Sequence, residues 1–524
     1  MRVFHRIRNS VLVILALVAG TAFGQRSLVV GTVRDAVNLD PAVAVATTDY
    51  NIFDAIYEGL VTYQRVVDGE GNVTATLDFA PALATSWESS DDGLTWTFHL
   101  REGVTFHDGT PFNADAVKYT FERAIRMGTG LTWQISEMLD IGDIEVVDDY
   151  TVVFHLDEPY APFLDTLRLP VAYIVSPTAV EANGGITDGQ RNEWMVNNAV
   201  GTGPYILESR ANDDRTVLVA NPNYWGEGPH LDRITVRIVP DPATLRLLVS
   251  RGEVQLVVFG LSWLDMLDLA DAPGISLYVQ DAFPEIRIAP FNVQEPPFDD
   301  PLVRRAVAHA IDYQAIIDGV MLGQAVRLTS AIPNGTFGHD PTLEVYQYDP
   351  ERARQLLAEA GYPDGFTFEL AYPSADQERF EVSTVMQANL AAVGINAELV
   401  GYAWPALLEK WDTGNYTLSV GKWAPTADPH SRVFGLLTCG SWGTSGNYGR
   451  YCNERVDELA EQAVRTVDRE ERAAVYAELQ RVVMDDAPWL FLYQPKRGFV
   501  FADGVKGFHI PPVESIAWQY VRLD

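Results

Sequence analysis

Residues 233–259, RITVRIVPDPATLRLLVSRGEVQLVVF, have the pattern of a strand, a helix and a second strand. Apolar residues alternate over 234–238, which is typical of a half-buried strand. Asp241 can cap a helix that has proline at its first position, and Gly252 can end that helix. Residues 254–259 then form the second strand. Such a βαβ unit is almost always a right-handed crossover on a mostly parallel sheet, so this stretch predicts an α/β fold.

The same mixture of strands and helices continues on both sides of this unit. Residues 28–33 and the alternating stretch 94–100 predict two more strands. Helices are expected where a capping side chain precedes an apolar stripe. The expected helix starts lie at Asn113, Asp300, Asp349 and Asp468. A chain of 524 residues exceeds what one hydrophobic core usually supports, so two or three lobes are expected.

The N-terminus has the pattern of a secretory signal peptide. Three arginines precede a short apolar run over 11–18, and Ala22 and Gly24 stand at positions −3 and −1 before Gln25. The apolar run is far shorter than the ~20 residues that a membrane span needs. No cysteine lies near the cut, so a lipid anchor is not expected. We predict a signal peptide over 1–24 and a periplasmic mature protein; the alternative is an uncleaved N-terminal anchor.

The composition is strongly acidic. The chain has 71 Asp and Glu against 38 Lys and Arg, which gives a formal net charge of −33. Nucleic acid and anionic lipid are poor partners for such a chain, so neither is expected to bind. Only five of the basic residues are lysines, at positions 118, 410, 422, 496 and 506. The two cysteines, Cys439 and Cys452, favour a disulfide in an exported chain.

The usual catalytic signatures are missing from this sequence. It contains no G-x-S-x-G, H-E-x-x-H, P-loop or G-x-G-x-x-G motif, and its nine histidines are scattered. We therefore expect no enzymatic activity, no cofactor and no metal site. Carboxylates are so numerous that a pair of them carries no weight as an acid–base couple, although a secreted hydrolase stays open as an alternative. The remaining class is an exported, multi-lobed binder of small ligands.

Several motifs together resemble one family. The run LREGVTFHDGTPF at 100–112 is the most recognisable, and further matches occur in the same order along the chain. These matches are LDPA at 39–42, IYEGLV at 56–61, PALATSW at 81–87, GTGPY at 201–205, NPNYW at 221–225 and the segment 304–312 that ends in Ala-Ile-Asp. They resemble the peptide/nickel (family 5) substrate-binding proteins of ABC importers over essentially the whole mature chain.

The resemblance implies a periplasmic binding protein type II-like α/β fold, with two lobes around a cleft and an additional inserted domain. Two crossovers between the lobes act as a hinge. The implied boundaries are a signal peptide over 1–24, domain I over 25–61, 186–274 and 496–524, domain II as an insertion over 62–185, and domain III over 275–495.

The resemblance also implies a function. The protein is expected to be the extracytoplasmic solute-binding subunit of an ABC importer, a monomer without a cofactor. It would close on a peptide-class ligand, an oligopeptide above all, between domains I and III and deliver it to the permease and ATPase subunits in the membrane. An oligosaccharide or a nickel–metallophore complex is the alternative cargo of the same fold.

The resemblance carries ligand-binding roles onto particular positions. The expected ligand-binding residues are Trp423, Asp428, Thr426, Trp404, Tyr402, Thr47 and Tyr50, and Cys439 and Cys452 match a disulfide of peptide-binding members. Two departures stand out. Thr426 occupies the place of an aspartate that takes the ligand's ammonium, so Asp428 is a candidate substitute. Asp376 occupies the place of an arginine that takes the ligand's carboxylate, and Arg379 lies one helical turn further on.

The histidines of these motifs are expected to be architectural. We expect His107 and Asp108 to form a turn that orients the following helix. We expect His430 to be a packing or surface residue, because a lone histidine is more often that than a metal ligand.

Overall fold

The computed structural model describes residues 26–43, 47–67, 73–281, 283–423, 426, 428–443, 446–508 and 516–524. The predicted signal peptide over 1–24 lies outside these residues. Among the described residues, no helix combines the length and the apolar character that crossing a membrane requires.

A seven-stranded sheet organises the first unit of the protein. Its strands, in spatial order, are Ile275–Gln280, Arg497–Ala502, Leu256–Phe259, Ser27–Thr32, Arg233–Ile238, Arg215–Ala220 and Tyr205–Ala211. The helices Thr47–Ile56, Pro242–Ser250 and Trp263–Ala270 accompany this sheet. The unit also holds the 3₁₀ turns Trp194–Val196 and Trp518–Tyr520 and the paired short strands Val505–Lys506 and Arg522–Leu523.

The βαβ unit predicted at 233–259 is confirmed, with one correction. The helix Pro242–Ser250 joins Arg233–Ile238 to Leu256–Phe259, and both strands run parallel to Ser27–Thr32, which lies between them. The expectation of a mostly parallel sheet is wrong for this sheet, because its other four pairings are antiparallel. The outer strands arrive as a hairpin and by a return of the chain from residue 497, and such connections give antiparallel neighbours.

An inserted unit follows the first helix. Its four-stranded antiparallel sheet has the order Ala84–Ser89, Thr95–Leu100, Thr151–His155 and Ile144–Asp148, and a hairpin Val61–Val67/Val73–Pro81 leads into it. Its helices are Ala114–Met127, Trp133–Ser136, Phe163–Arg168 and Pro177–Ala182, with 3₁₀ turns at Gly130–Thr132 and Pro170–Ala172. A core of its own, which includes Phe98, Phe121 and Phe154, indicates a separate folding unit.

The third unit contains two sheets. A four-stranded antiparallel sheet has the order Ala325–Arg327, Trp489–Pro495, Ile286–Pro290 and Gly421–Trp423, and a three-stranded parallel sheet has the order Asn396–Tyr402, Thr367–Pro373 and Leu418–Ser419. The helices are Pro301–Ala310, Tyr313–Ala315, the π-helix Ile316–Val320, Pro350–Glu359, Gln377–Ala391, Trp404–Thr413, His430–Leu437, the 3₁₀ turn Cys439–Ser441, Glu454–Arg465 and Arg469–Asp486.

The predicted helix starts are confirmed by their caps. The side chains of Asn113, Asp300, Asp349 and Asp468 each accept a hydrogen bond from a backbone N–H of the helix that follows. At three of these helices the capping residue is an aspartate, so its negative charge also complements the positive end of the helix dipole.

Two crossovers connect the first unit to the third. The chain leaves the seven-stranded sheet after Gln280 and returns to it at Arg497. The side-chain amide of Gln494 donates a hydrogen bond of 3.0 Å to the backbone carbonyl of Phe283, so the two crossovers run side by side. The expected start of domain III at residue 275 falls before the strand Ile275–Gln280, which belongs to the seven-stranded sheet, so the first unit extends to residue 280.

Candidate functional site

The carboxyl edge of the three-stranded parallel sheet gathers several of the residues singled out from the sequence. The strand Thr367–Pro373 is followed by the helix Gln377–Ala391, and Asn396–Tyr402 is followed by Trp404–Thr413. Carboxyl ends of parallel strands meet at one edge, where α/β proteins commonly bind ligands. The guanidinium of Arg379 lies 5.6 Å from the ring centre of Trp404, which is 46% exposed.

Arg379 is held from one side only. Asp376 caps the helix by accepting from the backbone N–H of Arg379 at 3.0 Å, and its other oxygen pairs with Nη2 of Arg379 at 2.9 Å. The Arg379 side chain is buried, and its Nε and Nη1 atoms have no hydrogen-bond partner in the part of the chain that the structure describes. Burial lowers the pKa of Arg379, and Asp376 opposes this shift. An anion beside Arg379 would satisfy one of these donors.

Trp423 and Lys422 occupy opposite faces of their strand. Lys422 pairs with Arg287 and Trp423 with Ile286 across the antiparallel ladder, and consecutive side chains point to opposite sides. Trp423 is half-buried against the apolar cluster around Leu436. Its ring reaches Gly446, where any side chain would collide with it. Trp423 thus packs into the third unit, whereas Lys422 faces the charged side of the sheet.

Tyr402 is tied to its own sheet. Its hydroxyl donates to Oε1 of Glu369 at 2.9 Å, and Nζ of Lys410 lies 4.7 Å from its ring centre. Burial is the largest cause of the raised pKa of Tyr402. The described contacts of Tyr402 therefore stabilise the strand pair, and its ligand role stays a prediction.

Asp428 forms a buried ion pair. Arg472 donates to both of its carboxylate oxygens, at 2.5 and 2.8 Å, and the backbone N–H of His430 donates to Oδ1 at 2.8 Å. Asp165 of the inserted unit lies close by, and burial together with the Asp428 charge raises the pKa of Asp165 to about 7. In this arrangement, a ligand ammonium would compete with Arg472 for Asp428. Thr426 is partly buried, and its hydroxyl lacks a partner among the described residues.

His430 packs at a contact between units, and no metal-ligand set surrounds it in the described part of the chain. Its Nε2 atom lies 2.9 Å from Oε1 of Glu137, and its ring meets Tyr160 edge-on at 5.6 Å. A cavity of about 430 Å³ opens beside these residues, between the inserted and third units. The expectation that His430 is a packing residue agrees with these contacts.

The two predicted residues of the first unit lie on the helix Thr47–Ile56. Thr47 is its first residue, and its side chain lies outside the described residues. Tyr50 packs 6.3 Å from Phe53, and burial raises the pKa of Tyr50 to about 12, with a further contribution from Asp49. The ligand-binding residues predicted from the sequence therefore lie in several separate places, which include the carboxyl edge, the Asp428 ion pair and this helix.

The other sequence landmarks are structural. His107 contacts the carbonyl of Gly203 at 3.0 Å, and Asp108 accepts from the hydroxyl of Ser176 at 2.6 Å. This turn thus fastens the inserted unit to the GTGPY segment, whereas the helix that follows it is capped by Asn113, so its predicted role in orienting that helix stays a prediction. Cys439 and Cys452 are joined in a disulfide that ties the end of one helix to the start of the next.

Lys422 and the residues around it were missed from the sequence. Lys422 is one of only five lysines and stands directly beside a tryptophan of the predicted site. The alternation of side chains along a strand could have indicated that the two face opposite ways. The charged partners of Lys422 come from distant segments, so the sequence offers no local signal for them.

The model of the family "Bacterial extracellular solute-binding proteins, family 5 Middle" matches residues 78–444. The chain belongs to this family. The resemblance found in the sequence is thus confirmed, and a solute-binding role rather than an enzymatic one follows from the membership.

Relatives of this family 5 solute-binding protein match it almost end to end. The probable D,D-dipeptide-binding periplasmic protein DdpA of Escherichia coli is 31% identical over 95% of this chain and 94% of that protein. The dipeptide-binding protein of the same organism is 30% identical over 88% of this chain and 89% of that protein.

Solved structures of similar proteins confirm the fold. DppA of Helicobacter pylori, in complex with the peptide STSA, is 30% identical, covers 95% of this chain and 98% of its own, and has a TM-score of 0.81. The dipeptide-binding protein of Pseudoalteromonas sp. SM9913, in complex with Met-Leu, is 26% identical with the same TM-score and covers 95% of this chain and all of its own. The family 5 protein therefore has the type II-like α/β architecture predicted for it.

Proposed function

We propose that this protein captures a peptide-class ligand in a cleft between its first and third units. The observation that carries this proposal is the near end-to-end similarity to proteins that are named for dipeptides or were solved with peptides. Domain I then comprises 25–61, 186–280 and 496–524, domain II spans 62–185, and domain III spans 281–495, with the one boundary moved to the end of a strand.

The ligand's terminal carboxylate binds Arg379 in this proposal. A carboxylate oxygen accepts from Nε or Nη1, the two unpartnered donors of the guanidinium, which point to different sides and are not bridged by one carboxylate. Trp404 is the exposed aromatic surface next to that guanidinium, suited to pack against an apolar part of a peptide. The family's arginine position is occupied by Asp376, which positions Arg379 through its ion pair.

The remaining predicted residues complete the cleft. Thr426, with its unpartnered hydroxyl, is proposed to donate to or accept from the peptide backbone. Tyr402, Thr47 and Tyr50 are retained as predicted lining residues, whereas Trp423 is proposed to be a packing residue because its ring lies against the apolar cluster around Leu436. Asp428 is retained as a candidate for the ligand's ammonium, which must displace one of the Arg472 hydrogen bonds to reach it.

Capture depends on closure about the two crossovers. A ligand shifts the open–closed equilibrium only by its preference for the closed state. Contacts between the inserted and third units do not depend on a ligand, and they support this closure. The backbone N–H of Ala161 donates to the carbonyl of Val464 at 2.7 Å, and Arg465 pairs with Glu158 at 2.8 Å. The closed monomer is proposed to deliver its cargo to the permease and ATPase subunits of an ABC importer after export through a signal peptide cleaved near Gln25.

Thermal-shift screening of the mature protein against a peptide library tests this proposal, together with native mass spectrometry of any ligand that co-purifies. We expect peptides to raise the melting temperature and Arg379→Gln to weaken their binding at least tenfold. Arg455→Gln is the matched control, because Arg455 is an exposed, ion-paired arginine on a helix of the same unit. A response to oligosaccharides or to a nickel complex, with none to peptides, would contradict the proposal.

A further inference from the structure

A group of positive side chains gathers where the carboxyl edge meets the two crossovers; we call it the cationic floor. Its cations are Arg287, Arg379, Lys422, Arg432 and Arg497, and the carboxylates among them are Glu285, Asp376 and Glu378. Five cations against three carboxylates leave an excess of two positive charges. This excess lies inside a chain whose formal net charge is −33.

Arg287 forms ion pairs with two of the three carboxylates of the floor. Its Nη1 contacts Glu285, and its Nε donates to Oε1 of Glu378 at 2.5 Å. The hydroxyl of Tyr493 donates to the same Glu378 oxygen at 2.8 Å. Since Asp376 is engaged by Arg379, Glu285 is the carboxylate left to interact with the remaining cations of the floor.

Among the described residues, Lys422 and Arg497 are the cations of the floor without a direct partner. Within the described ranges, neither forms an ion pair or a hydrogen bond through its charged group, and both interact with Glu285 only at longer range. The guanidinium of Arg497 lies between two aromatic rings, 5.0 Å from the centre of Phe283 and 4.7 Å from that of Phe499. These rings fix the guanidinium without neutralising it.

The pKa shifts of these cations agree with an excess of positive charge in the floor. Burial lowers the pKa of Lys422, of Arg432 to about 9 and of Arg497 to about 10, because desolvation outweighs the attraction of Glu285. Arg432 and Arg497 stay protonated at neutral pH. The side chain of Lys422 is nonetheless exposed, Arg497 is half-buried and Arg432 is buried, so an anion that binds here can reach Lys422 and Arg497 directly. Four residues that are close to the floor in sequence lie outside the described ranges, namely Ala282, Ala424, Pro425 and Ala427. None of these side chains carries a negative charge.

We propose that the cargo carries a second negative group beyond its terminal carboxylate, and that Lys422 and Arg497 bind it. The substrate class is then a peptide with an acidic side chain rather than a neutral one. Lys422 lies on the strand Gly421–Trp423, and Arg497 is the first residue of the strand at which the second crossover ends, so a ligand across both would contact the hinge directly. This inference rests on the proposed peptide-binding function for the ligand, but the charge that it requires can be tested separately.

Titration calorimetry with the tripeptides Ala-Glu-Ala and Ala-Gln-Ala tests the inference, since the two differ in charge and hardly in shape. We expect the wild type to bind Ala-Glu-Ala at least tenfold more tightly. In Lys422→Gln the affinities for the two tripeptides should differ by no more than about twofold, and Lys422→Arg should retain the tenfold difference. Lys506→Gln, on a strand of the first unit, is the matched control. Equal or tighter binding of Ala-Gln-Ala by the wild type would overturn the inference, as would an undiminished difference in Lys422→Gln.

A non-peptide probe separates this inference from the peptide proposal. If neither tripeptide binds, the peptide proposal is weakened, and glutarate is compared with its monoamide, glutaramate, in thermal shift. The inference predicts a larger stabilisation of the wild type by glutarate than by glutaramate, lost in Lys422→Gln and kept in Lys506→Gln. A glutarate response no larger than that of glutaramate would refute the cationic floor as an anion site, whatever class the ligand belongs to.

Discussion

The Nε2 atom of His430 lies 2.9 Å from Oε1 of Glu137, so this contact joins the third unit to the inserted unit across 293 positions of sequence. The hydroxyl of Tyr160 also donates to Glu137, at 3.1 Å. The arrangement connects two units that the crossovers do not link directly, and it can form only when these units are close together.

Glu137→Ala should therefore favour the open state. Loss of one partly buried contact of this kind costs on the order of 0.5–1 kcal/mol, which raises the open fraction about two- to fivefold. Small-angle X-ray scattering of the ligand-free protein measures this as a larger radius of gyration. Glu145→Ala is the matched control, because Glu145 forms a similar contact with His155 inside the inserted unit. Identical scattering from all three proteins would show that Glu137 does not hold the units together.

Asp428→Asn should destabilise the protein. It leaves the buried guanidinium of Arg472 without its charged partner, and breaking a buried ion pair from one side typically costs about 3–5 kcal/mol. Urea unfolding measures the loss, and Arg455→Gln, which breaks an exposed pair, should change the free energy of unfolding by less than about 1 kcal/mol. A variant of normal stability that fails to bind ligand would instead favour the ammonium role predicted for Asp428.

Trp404→Ala and Trp423→Ala should separate binding from folding. Trp404 is exposed beside Arg379, so its truncation should weaken peptide binding about tenfold and leave the melting temperature nearly unchanged. Trp423 fills space against the core near Leu436, so its truncation should cost about 1–3 kcal/mol of stability. The family resemblance instead made Trp423 an expected ligand-binding residue, whose truncation would weaken ligand binding. Calorimetry and urea unfolding of both variants distinguish these expectations.

Glu58 should make stability depend on pH. Burial raises its pKa from 4.5 to about 7, against hydrogen bonds from Trp225, Thr202 and Tyr224. Between these pH values the folded protein holds a proton that the unfolded chain has released, so the free energy of unfolding falls as pH rises, by up to about 1.4 kcal/mol per pH unit. Glu58→Gln should make the fall between pH 5 and 7 shallower in urea unfolding. An unchanged slope would mean that Glu58 is already ionised in the folded state at pH 5.

Replacing both Cys439 and Cys452 by alanine should lower stability. The disulfide closes a loop with a sequence separation of 13, and loss of such a constraint is worth about 3 kcal/mol in the chain-entropy model. Urea unfolding of the oxidised wild type, the reduced wild type and the double variant measures the effect. The reduced wild type should resemble the double variant; if it resembles the oxidised protein, the bond does not constrain the unfolded chain as expected.

Local features of the fold were predictable from the sequence. Helix starts at Asp241, Asp300 and Asp349 carry both an acceptor for the first N–H groups and a proline at the first position, which no other local structure favours as strongly. Strand direction was not predictable, because it depends on where the chain returns: Arg497–Ala502 enters the seven-stranded sheet more than two hundred residues after Ile275–Gln280. That return turned an expected parallel sheet into a mixed one.

The candidate site was predictable only in part. Trp404 and Arg379 follow parallel strands, so their position at one edge follows from the strand pattern. The pairing of Asp428 with Arg472 could not be inferred, because the two are 44 positions apart and on separate elements. The excess charge around Lys422 depends on five segments meeting in space, and no single segment reveals it.

The cationic floor lies within an acidic exterior, and this contrast has a kinetic consequence. An anionic cargo, as proposed above, would be repelled by the net charge of the chain while it diffuses toward the molecule and attracted only after it has entered. Dissolved ions screen the outer repulsion more than the interior attraction. Rising ionic strength should therefore increase the association rate more than the dissociation rate, which is the reverse of ordinary electrostatic steering. Ligand capture would then be fastest at high salt concentration.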